Sequence, residues 1–301
     1  MPPPHPPRDP SRGQRVGALL ASVRRIGLLF LVVYSVLVVV LFFVQARLIF
    51  VGRGGQGRVG AEMEPEPGVE TVCFTMATGE QVVARFGVAL TEGGRLSPHA
   101  AQRPTLLLFY GNGGQLRQMT ETFQDLRRLG FNVLIPDYVG YGMSSGKASE
   151  AGCYATADAA YEHLVARKDV DSAKIVAAGY SLGGGVAIDL AARRPVAGLA
   201  VFNTFTSLTA MAGRQFPYIP VSLLLRHRFE SDRKIARVRC PILIASGTAD
   251  TLVPPAMSDR LASLAQSPVT RLQVEGAEHN ELFWTRADEV FPALQRFVSQ
   301  L

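Results

Sequence analysis

Ser181 has the sequence surroundings of a catalytic nucleophile. It is the central residue of GYSLG at 179–183, a G-x-S-x-G pattern that follows the apolar run 175–179 and precedes a helical pattern. Where a strand leads into a helix, this pattern forms a tight bend that exposes the serine hydroxyl. The N-terminus of the following helix favours a developing negative charge. A glycine-rich turn in which Ser181 only caps the helix is the alternative.

A serine hydroxyl is a weak nucleophile unless a base removes its proton. His279 is the candidate base, because it lies in the sequence GAEHN at 276–280, just after the last predicted strand, the more polar run 269–274 that is a candidate for the far edge of the sheet. A surface loop histidine is its alternative role. His227, in an arginine-rich segment, is the weaker rival. The remaining histidines are placed in the N-terminal tail, a polar loop and a predicted helix: His5, His99 and His163.

A catalytic histidine needs a carboxylate that orients its ring and stabilises the imidazolium. Asp250 follows the apolar run 242–246 and is the candidate, although it could instead cap the helix near Pro254. The chain order is then nucleophile, acid and base, which differs from the order in trypsin-like and subtilisin-like enzymes. Asp137 also ends a strand, but it precedes the nucleophile and is interpreted as support for a loop.

A second glycine-rich loop, YGNGG at 110–114, follows the apolar run 105–110. Such a loop can aim a backbone N–H group at the carbonyl that the nucleophile attacks. We expect the N–H groups of Asn112 and Leu182 to form a two-donor oxyanion hole. A phosphate-binding loop is excluded, because the sequence has neither a Gly-Lys-Ser/Thr ending nor a spaced G-x-G-x-x-G pattern here.

These residues come from distant parts of the chain and need a scaffold that brings them together. Short apolar runs alternate with helical patterns, which predicts an α/β fold with a mostly parallel central sheet and helices on both faces. Residues 69–88 predict a hairpin at its edge. Chemistry in such sheets gathers at the carboxyl ends of the strands. The predicted strands are 105–110, 132–135, 175–179, 198–202, 242–246 and 269–274, and the predicted helices are 115–129, 153–168, 182–193, 256–266 and 287–300.

An uncharged apolar run at 26–46 predicts one transmembrane helix. A helix of that length reaches about 32 Å, enough to cross the hydrocarbon core of a bilayer. A cleaved signal peptide is the alternative, since VQA at 44–46 imitates a cleavage site. Five arginines precede the run and three follow it closely. This imbalance predicts a cytoplasmic N-terminus and a domain on the opposite side of the membrane.

Charge and composition exclude several other classes of protein. The chain of 301 residues has a net charge of +6, but eight arginines against one aspartate give its first sixty residues +7. The remainder is therefore near neutral, which argues against a nucleic-acid partner. Three widely spaced cysteines indicate neither a zinc site nor a disulfide framework. The predicted organisation is a disordered basic tail (1–25), the membrane helix (26–46), a tether (47–68) and one domain (69–301); the oligomeric state is not indicated.

Together these motifs resemble the α/β-hydrolase superfamily over about residues 45–300. The likeness is strongest to its membrane-anchored branch, related to the yeast bud-emergence protein and to animal hydrolase-domain proteins. Two positions depart from that branch: Tyr110 stands where it usually has His, and Val139 where it often has Arg. The motifs that carry the resemblance are YGNGG (110–114), PDYVGYGMSSG (136–146), GYSLGGG (179–185), NTFTSL (203–208), ILIASGTADTLVPP (242–255) and EHN (278–280).

The resemblance implies hydrolysis of an ester, thioester or amide through an acyl-enzyme, with no metal or organic cofactor. Relatives include protein depalmitoylases, so the expected substrate is an acyl-containing small molecule, a lipid or a lipidated protein. A serine aminopeptidase and a non-catalytic scaffold are the alternatives, whereas a dehalogenase would need Asp in place of Ser181. Residues 206–239 are expected to form a small cap with an apolar underside, or an ordinary amphipathic connector. The basic stretch within them is a candidate for contact with anionic lipid head groups.

Overall fold

One central sheet organises the domain that carries the candidate site. The computed structural model describes residues 10–57, 65–76 and 78–301, and the compact domain spans Ala46–Leu301. The strands of the sheet are β1 (Val69–Thr75), β2 (Gln81–Gly87), β3 (Thr105–Phe109), β4 (Asn132–Pro136), β5 (Ile175–Tyr180), β6 (Gly198–Phe202), β7 (Ile242–Gly247) and β8 (Val269–Val274).

The strand order gives a parallel sheet with one antiparallel edge. The order is β1-β2-β4-β3-β5-β6-β7-β8. Strand β2 pairs antiparallel with β1 and β4, and the other neighbouring strands pair parallel. Strands β3 to β7 are buried along their whole length, as continuous apolar runs in a covered parallel sheet should be. The predicted α/β fold with a mostly parallel sheet is confirmed, together with its edge hairpin.

Helices fill the connections between the strands, and their limits differ from the predicted ones where local contacts intervene. The helix predicted from 153 begins three residues earlier, because the Ser149 hydroxyl accepts the N–H of Gly152 as an N-cap. The segment predicted as a helix from 115 opens with the 3₁₀ turn Leu116–Met119. The helices are α1 (Pro10–Ile49), α2 (Thr120–Arg128), α3 (Glu150–Ala166), α4 (Leu182–Ala191), α5 (Leu208–Gln215), α6 (Val221–Leu224), α7 (Ser231–Lys234), α8 (Pro255–Leu264) and α9 (Ala287–Val298).

Helix α1 is longer than the predicted membrane span. Its stretch Gly17–Ile49 has a mean hydropathy of 3.0 in its most apolar window and is long and apolar enough to cross a membrane or to act as a signal sequence. The helix also includes residues 10–25, which the sequence analysis assigned to a disordered tail. Pro10 stands at its first position, where proline is tolerated, and no later proline interrupts it. Residues 1–9 of the predicted tail lie outside the described residues.

The last residues of helix α1 and the chain after them belong to the compact domain and do not form a free tether. We call residues 46–57 the linking segment. Phe50 is fully buried there, and the turn Val51–Gly55 follows it. The Gly57 N–H donates to the carbonyl of Gly142 across 2.9 Å. The first part of the predicted tether (47–68) is therefore ordered structure, whereas its residues 58–64 lie outside the described part of the chain.

Candidate active site

Ser181 sits on a strained turn between β5 and α4. Its backbone has φ 53° and ψ −116°, a conformation that residues other than glycine rarely adopt. The turn is tight: a Cβ on Gly179 would lie 2.1 Å from the carbonyl oxygen of Gly183, and one on Gly183 would lie 2.0 Å from that of Phe109. The two glycines of the G-x-S-x-G pattern are thus required by close backbone approach. The serine hydroxyl faces a cavity at the carboxyl end of the strand.

The side chains of Ser181, His279 and Asp250 form one hydrogen-bonded chain. His279 Nε2 lies 3.0 Å from Ser181 Oγ, and His279 Nδ1 lies 2.7 Å from Asp250 Oδ2. Because a carboxylate only accepts hydrogen bonds, Nδ1 carries the proton and Nε2 is left to accept from the serine hydroxyl. All three residues are buried, with 9%, 8% and 3% of their surfaces exposed. The arrangement can remove a proton from the hydroxyl.

The loops after β7 and β8 bring the acid and the base together. These strands are parallel neighbours, so their carboxyl ends, and the loops with Asp250 and His279, lie at the same edge of the sheet. Asp250 Oδ1 accepts the N–H groups of Leu252 and Val253 at 2.9 and 2.7 Å. The other carboxylate oxygen is thereby directed to the imidazole. Asp250 does not cap α8, whose N-cap position Pro254 has no side-chain hydrogen bond; its carboxylate holds the turn before that helix and contacts His279.

Two further side chains hold the histidine loop, and the sequence analysis did not identify them. The Tyr180 hydroxyl donates to the His279 carbonyl across 2.7 Å, and the Asn203 amide donates to the same oxygen across 2.7 Å. Asn203 also accepts the Gly247 N–H at 2.9 Å. Burial, followed by the nearby negative charge of Asp250, raises the pKa of Tyr180 above its usual value, so the phenol stays a donor. Both lie at the ends of strands, Tyr180 in the motif GYSLGGG and Asn203 at the start of NTFTSL, but neither motif indicates a contact with His279.

The loop after β3 carries Asn112 beside the nucleophile. Asn112, Ser181 and Leu182 line the same cavity. Within the described part of the chain, the backbone N–H groups of Asn112 and Leu182 donate to no protein acceptor. Two N–H donors next to the serine are what a tetrahedral oxyanion needs. The Tyr141 hydroxyl donates to the Asn112 carbonyl across 3.0 Å and holds the Asn112–Gly113 peptide in place.

Asp137 supports the two loops beside the site and is not one of the three hydrogen-bonded side chains Ser181, His279 and Asp250. Its Oδ1 accepts the Tyr110 hydroxyl at 2.8 Å and the Leu116 N–H at 2.9 Å, and its Oδ2 accepts the Met143 N–H at 3.0 Å. Burial raises the pKa of Asp137. Tyr110, the position at which the sequence departs from the membrane-anchored branch that it resembles, is thus a structural hydrogen-bond donor to Asp137.

His227, the rival base, is used elsewhere in the structure. Its Nδ1 accepts the Glu150 N–H at 3.4 Å, and its ring packs edge-on against Phe50 with 5.0 Å between centroids. Burial lowers the pKa of His227. Among the described residues, no group of three or more His, Cys, Asp or Glu side chains could hold a metal ion.

A cavity of about 390 Å³ opens at Ser181. The segment predicted as a cap over 206–239 contributes apolar side chains to the wall of this cavity, from α5 and from the residues after it. The linking segment contributes two further apolar side chains, those of Leu48 and Ile49. Residues lining the cavity include Leu48, Ile49, Leu208, Met211, Phe216 and Leu225.

The chain is similar in sequence and in fold to known α/β-hydrolases. Residues 104–221 match the sequence profile of the alpha/beta hydrolase fold. An uncharacterized protein of Mycobacterium tuberculosis is 34% identical over 258 residues, 85% of this chain and 88% of that protein. Alpha/beta hydrolase domain-containing protein 17B of Xenopus tropicalis is 34% identical over 207 residues, 68% and 69% of the two chains. The structure is similar to an acetyl xylan esterase from Paenibacillus sp. R4, with a TM-score of 0.63, 17% identity and coverage of 79% and 86%.

Proposed function

Because this chain belongs to the α/β-hydrolase superfamily, we propose that it is a serine hydrolase that cleaves ester, thioester or related acyl bonds. The observation that carries this proposal is the hydrogen-bonded chain from Ser181 Oγ through the His279 imidazole to Asp250, with steps of 3.0 and 2.7 Å. A serine hydroxyl that merely caps a helix has no need of a histidine and a buried carboxylate behind it.

The first half of the reaction forms an acyl-enzyme. Ser181 Oγ attacks the acyl carbonyl while His279 Nε2 takes the hydroxyl proton, and Asp250 stabilises the resulting imidazolium. The N–H groups of Asn112 and Leu182 hold the oxyanion of the tetrahedral intermediate. When the intermediate collapses, the bond to the leaving group breaks and the imidazolium gives its proton to that group.

The second half repeats these steps with water. His279 takes a proton from a water molecule as the water oxygen attacks the acyl-enzyme carbonyl. The same two N–H groups hold the second oxyanion. Collapse of the intermediate breaks the bond to Ser181, which recovers its proton from the imidazolium, and the carboxylic acid leaves. Each proton that His279 accepts is thus returned, and the enzyme ends in its starting state.

The cavity favours an acyl substrate over an aminoacyl one. Its described lining includes neither Asp nor Glu, the residues that an aminopeptidase would use to bind a substrate amine. Apolar side chains such as Leu208 and Met211 instead offer contacts to a hydrocarbon group. An acyl-containing small molecule, a lipid or a lipidated protein fits this lining. The site is proposed to work without a metal or organic cofactor, because each step above uses only groups of the chain and water.

We also propose that the apolar helix holds the enzyme at a membrane. The stretch Gly17–Ile49 meets the length and hydropathy of a membrane span. The excess of arginines before it favours a cytoplasmic N-terminus. The catalytic domain then lies on the opposite side, where the enzyme meets substrates at or near the lipid surface.

A fluorophosphonate probe tests the proposed reaction directly. Such probes phosphonylate a serine only when its neighbours activate it. We expect labelling of the full-length protein at Ser181, with loss of labelling in Ser181→Ala and unchanged labelling in Ser263→Ala, a control on the exposed face of α8. Turnover of p-nitrophenyl esters, acyl thioesters and aminoacyl anilides then assigns the bond type. Labelling of Ser181→Ala, or none of the native protein, would contradict the proposal and favour a non-catalytic scaffold.

A further inference from the structure

The linking segment is anchored on the domain by one buried aromatic ring. Phe50 has no exposed surface. Its ring centroid lies 5.0 Å from that of His227 and 6.2 Å from that of Phe229. Burial of a whole phenylalanine side chain removes a large apolar surface from water and so stabilises the site that it occupies. The residues on either side of Phe50 are therefore held in a defined position and do not behave as a mobile tether.

The same residues hold the side-chain amide group and the backbone carbonyl of Asn112. The Asn112 side-chain amide donates to the Ile49 carbonyl across 3.0 Å, and the Asn112 carbonyl accepts the Gly52 N–H at 2.8 Å. These bonds, on either side of Phe50, hold the Asn112 side chain and the Asn112–Gly113 peptide, and thereby position residue 112 in the loop. The Asn112 N–H, in the preceding peptide, donates to no protein acceptor within the described part of the chain.

The segment also forms part of the wall of the cavity at Ser181. Leu48 and Ile49 line it together with Phe216 and Leu225. Side chains from the beginning and the middle of the chain thus meet at one pocket. A hydrocarbon chain that extended from the serine into this pocket would contact the linking segment. A short acyl group, which occupies only the space next to Ser181, would not need it.

We propose that residues 48–52 are a positioning and specificity element of the active site, in which Ile49 and Gly52 fix the oxyanion donor Asn112 and Leu48 and Ile49 contact the acyl chain of the substrate. This inference rests on the proposed hydrolase reaction and identifies the substrate as one with an extended apolar acyl chain. Residues 48–52 assist the reaction through Asn112. They do not touch the reacting atoms.

The two roles predict different kinetic effects. Displacing Asn112 weakens a contact that forms fully only in the transition state, so kcat falls while KM changes little. Loss of one oxyanion donor costs about 10²–10³-fold in kcat, and a displacement should cost about 10–100-fold. Changing the wall of the cavity alters the ratio of kcat/KM between long and short acyl chains.

A pair of glycine substitutions tests the positioning role. A Cβ at Gly52 would lie 2.5 Å from the Gly114 carbonyl oxygen and 2.5 Å from a ring carbon of Tyr141, whereas one at Gly54 has nothing within 4 Å. We expect Gly52→Ala to lower kcat on a short p-nitrophenyl ester about 10–100-fold, and Gly54→Ala to keep the native value. Thermal melts of both proteins establish that they are folded.

A pair of leucine substitutions tests the specificity role. Leu48 is 55% exposed and Leu96, far from the cavity lining, is 47% exposed, so both positions accept a tryptophan without a loss of core packing. We expect Leu48→Trp to lower the kcat/KM ratio of dodecanoyl to acetyl p-nitrophenyl esters about tenfold or more, since a methylene-scale change in a pocket is worth about 10–200-fold. Leu96→Trp should leave the ratio unchanged.

The outcomes separate this inference from the proposed reaction. A native protein that is not labelled at Ser181 and cleaves none of these esters overturns both. If the native protein is active, a folded Gly52→Ala protein with native kcat, or a Leu48→Trp protein with the native chain-length ratio, overturns only the role of residues 48–52. If Gly52→Ala does not fold, the chain-length ratio of Leu48→Trp decides.

Discussion

The hydroxyl of Tyr180 donates a hydrogen bond to the backbone carbonyl of His279 across 2.7 Å. Tyr180 directly precedes the nucleophile in sequence, so one residue connects the turn of Ser181 to the loop of the base. The hydroxyl also lies 2.9 Å from Asn280 Oδ1. Movement of either loop would disturb this contact. A side chain other than Ser181, His279 and Asp250 thus helps to set the relative position of Ser181 and His279.

Removal of this hydroxyl should reduce both the rate of catalysis and the stability of the fold. We expect Tyr180→Phe to lower kcat about 5–30-fold, because His279 loses a bond that orients it, and to destabilise the fold by about 1–2 kcal/mol. Ester hydrolysis and thermal unfolding measure the two effects. Tyr161→Phe is the control: its hydroxyl donates to the Pro195 carbonyl across 2.8 Å, outside the site. Equal kcat in the two variants would show that Tyr180 has only a structural role.

Replacement of the buried acid should reduce turnover while leaving the pocket intact. In Asp250→Asn, one oxygen can still accept the N–H groups of Leu252 and Val253, but the amide then faces His279 and no longer accepts the Nδ1 proton. The imidazole is expected to change tautomer, and kcat to fall about 10⁴-fold. Steady-state ester hydrolysis and the rate of fluorophosphonate labelling should fall together. A loss of less than tenfold would argue against Asp250 as the partner of the base.

The rates at which the three cysteines react with a thiol reagent should follow how deeply each is buried in the domain. Cys73 is exposed and Cys153 is buried, and burial raises the pKa of Cys240 to about 11. A shift of two pKa units lowers the thiolate fraction about 100-fold at pH 8 relative to an ordinary thiol. We expect alkylation by a maleimide in the order Cys73, Cys240, Cys153, the last only after unfolding. Mass spectrometry of peptides from a time course measures it, and early labelling of Cys153 would contradict the fold around α3.

Cys73 also provides a test of orientation. If the N-terminus is cytoplasmic, a membrane-impermeant maleimide should label Cys73 in intact spheroplasts. The Cys73→Ala protein should stay unlabelled under the same conditions. Labelling that needs lysis of the membrane would place the domain on the cytoplasmic side.

Removal of residues 1–45 should shift the protein from the membrane fraction to the soluble fraction, and retention at the membrane would show a second means of attachment.

The sequence predicted the parts of the molecule that local pattern determines. Continuous apolar runs such as 175–179 and 242–246 became buried parallel strands, because only a covered sheet accepts side chains that are apolar on both faces. Ser181 and Asp250 were identifiable as candidates because each follows such a run, and His279 because it follows the more polar edge strand 269–274. Their distances follow from strand order, which brings the ends of β5, β7 and β8 to one edge of the sheet.

The parts that could not be predicted depend on contacts between distant residues. Tyr180 and Asn203 hold the His279 carbonyl, but no spacing in the sequence indicates which way their side chains turn. The linking segment has the glycine-rich composition of a flexible tether, and its order comes from the burial of Phe50. Helix α1 extends over residues assigned to the tail, because arginine, leucine and alanine there favour a helix once an adjacent stretch has nucleated it.

The position of the linking segment bears on how the enzyme should be prepared and on how a cell could release it. A recombinant fragment trimmed to start at the first strand would discard Phe50 and the residues around it, and would leave the oxyanion loop without its support. Proteolysis just after Ala46, by contrast, would shed a soluble form that keeps Leu48 and every later side chain. If residues 48–52 act as proposed, a form released by such a cut keeps the complete active site, provided that the cut falls before Leu48.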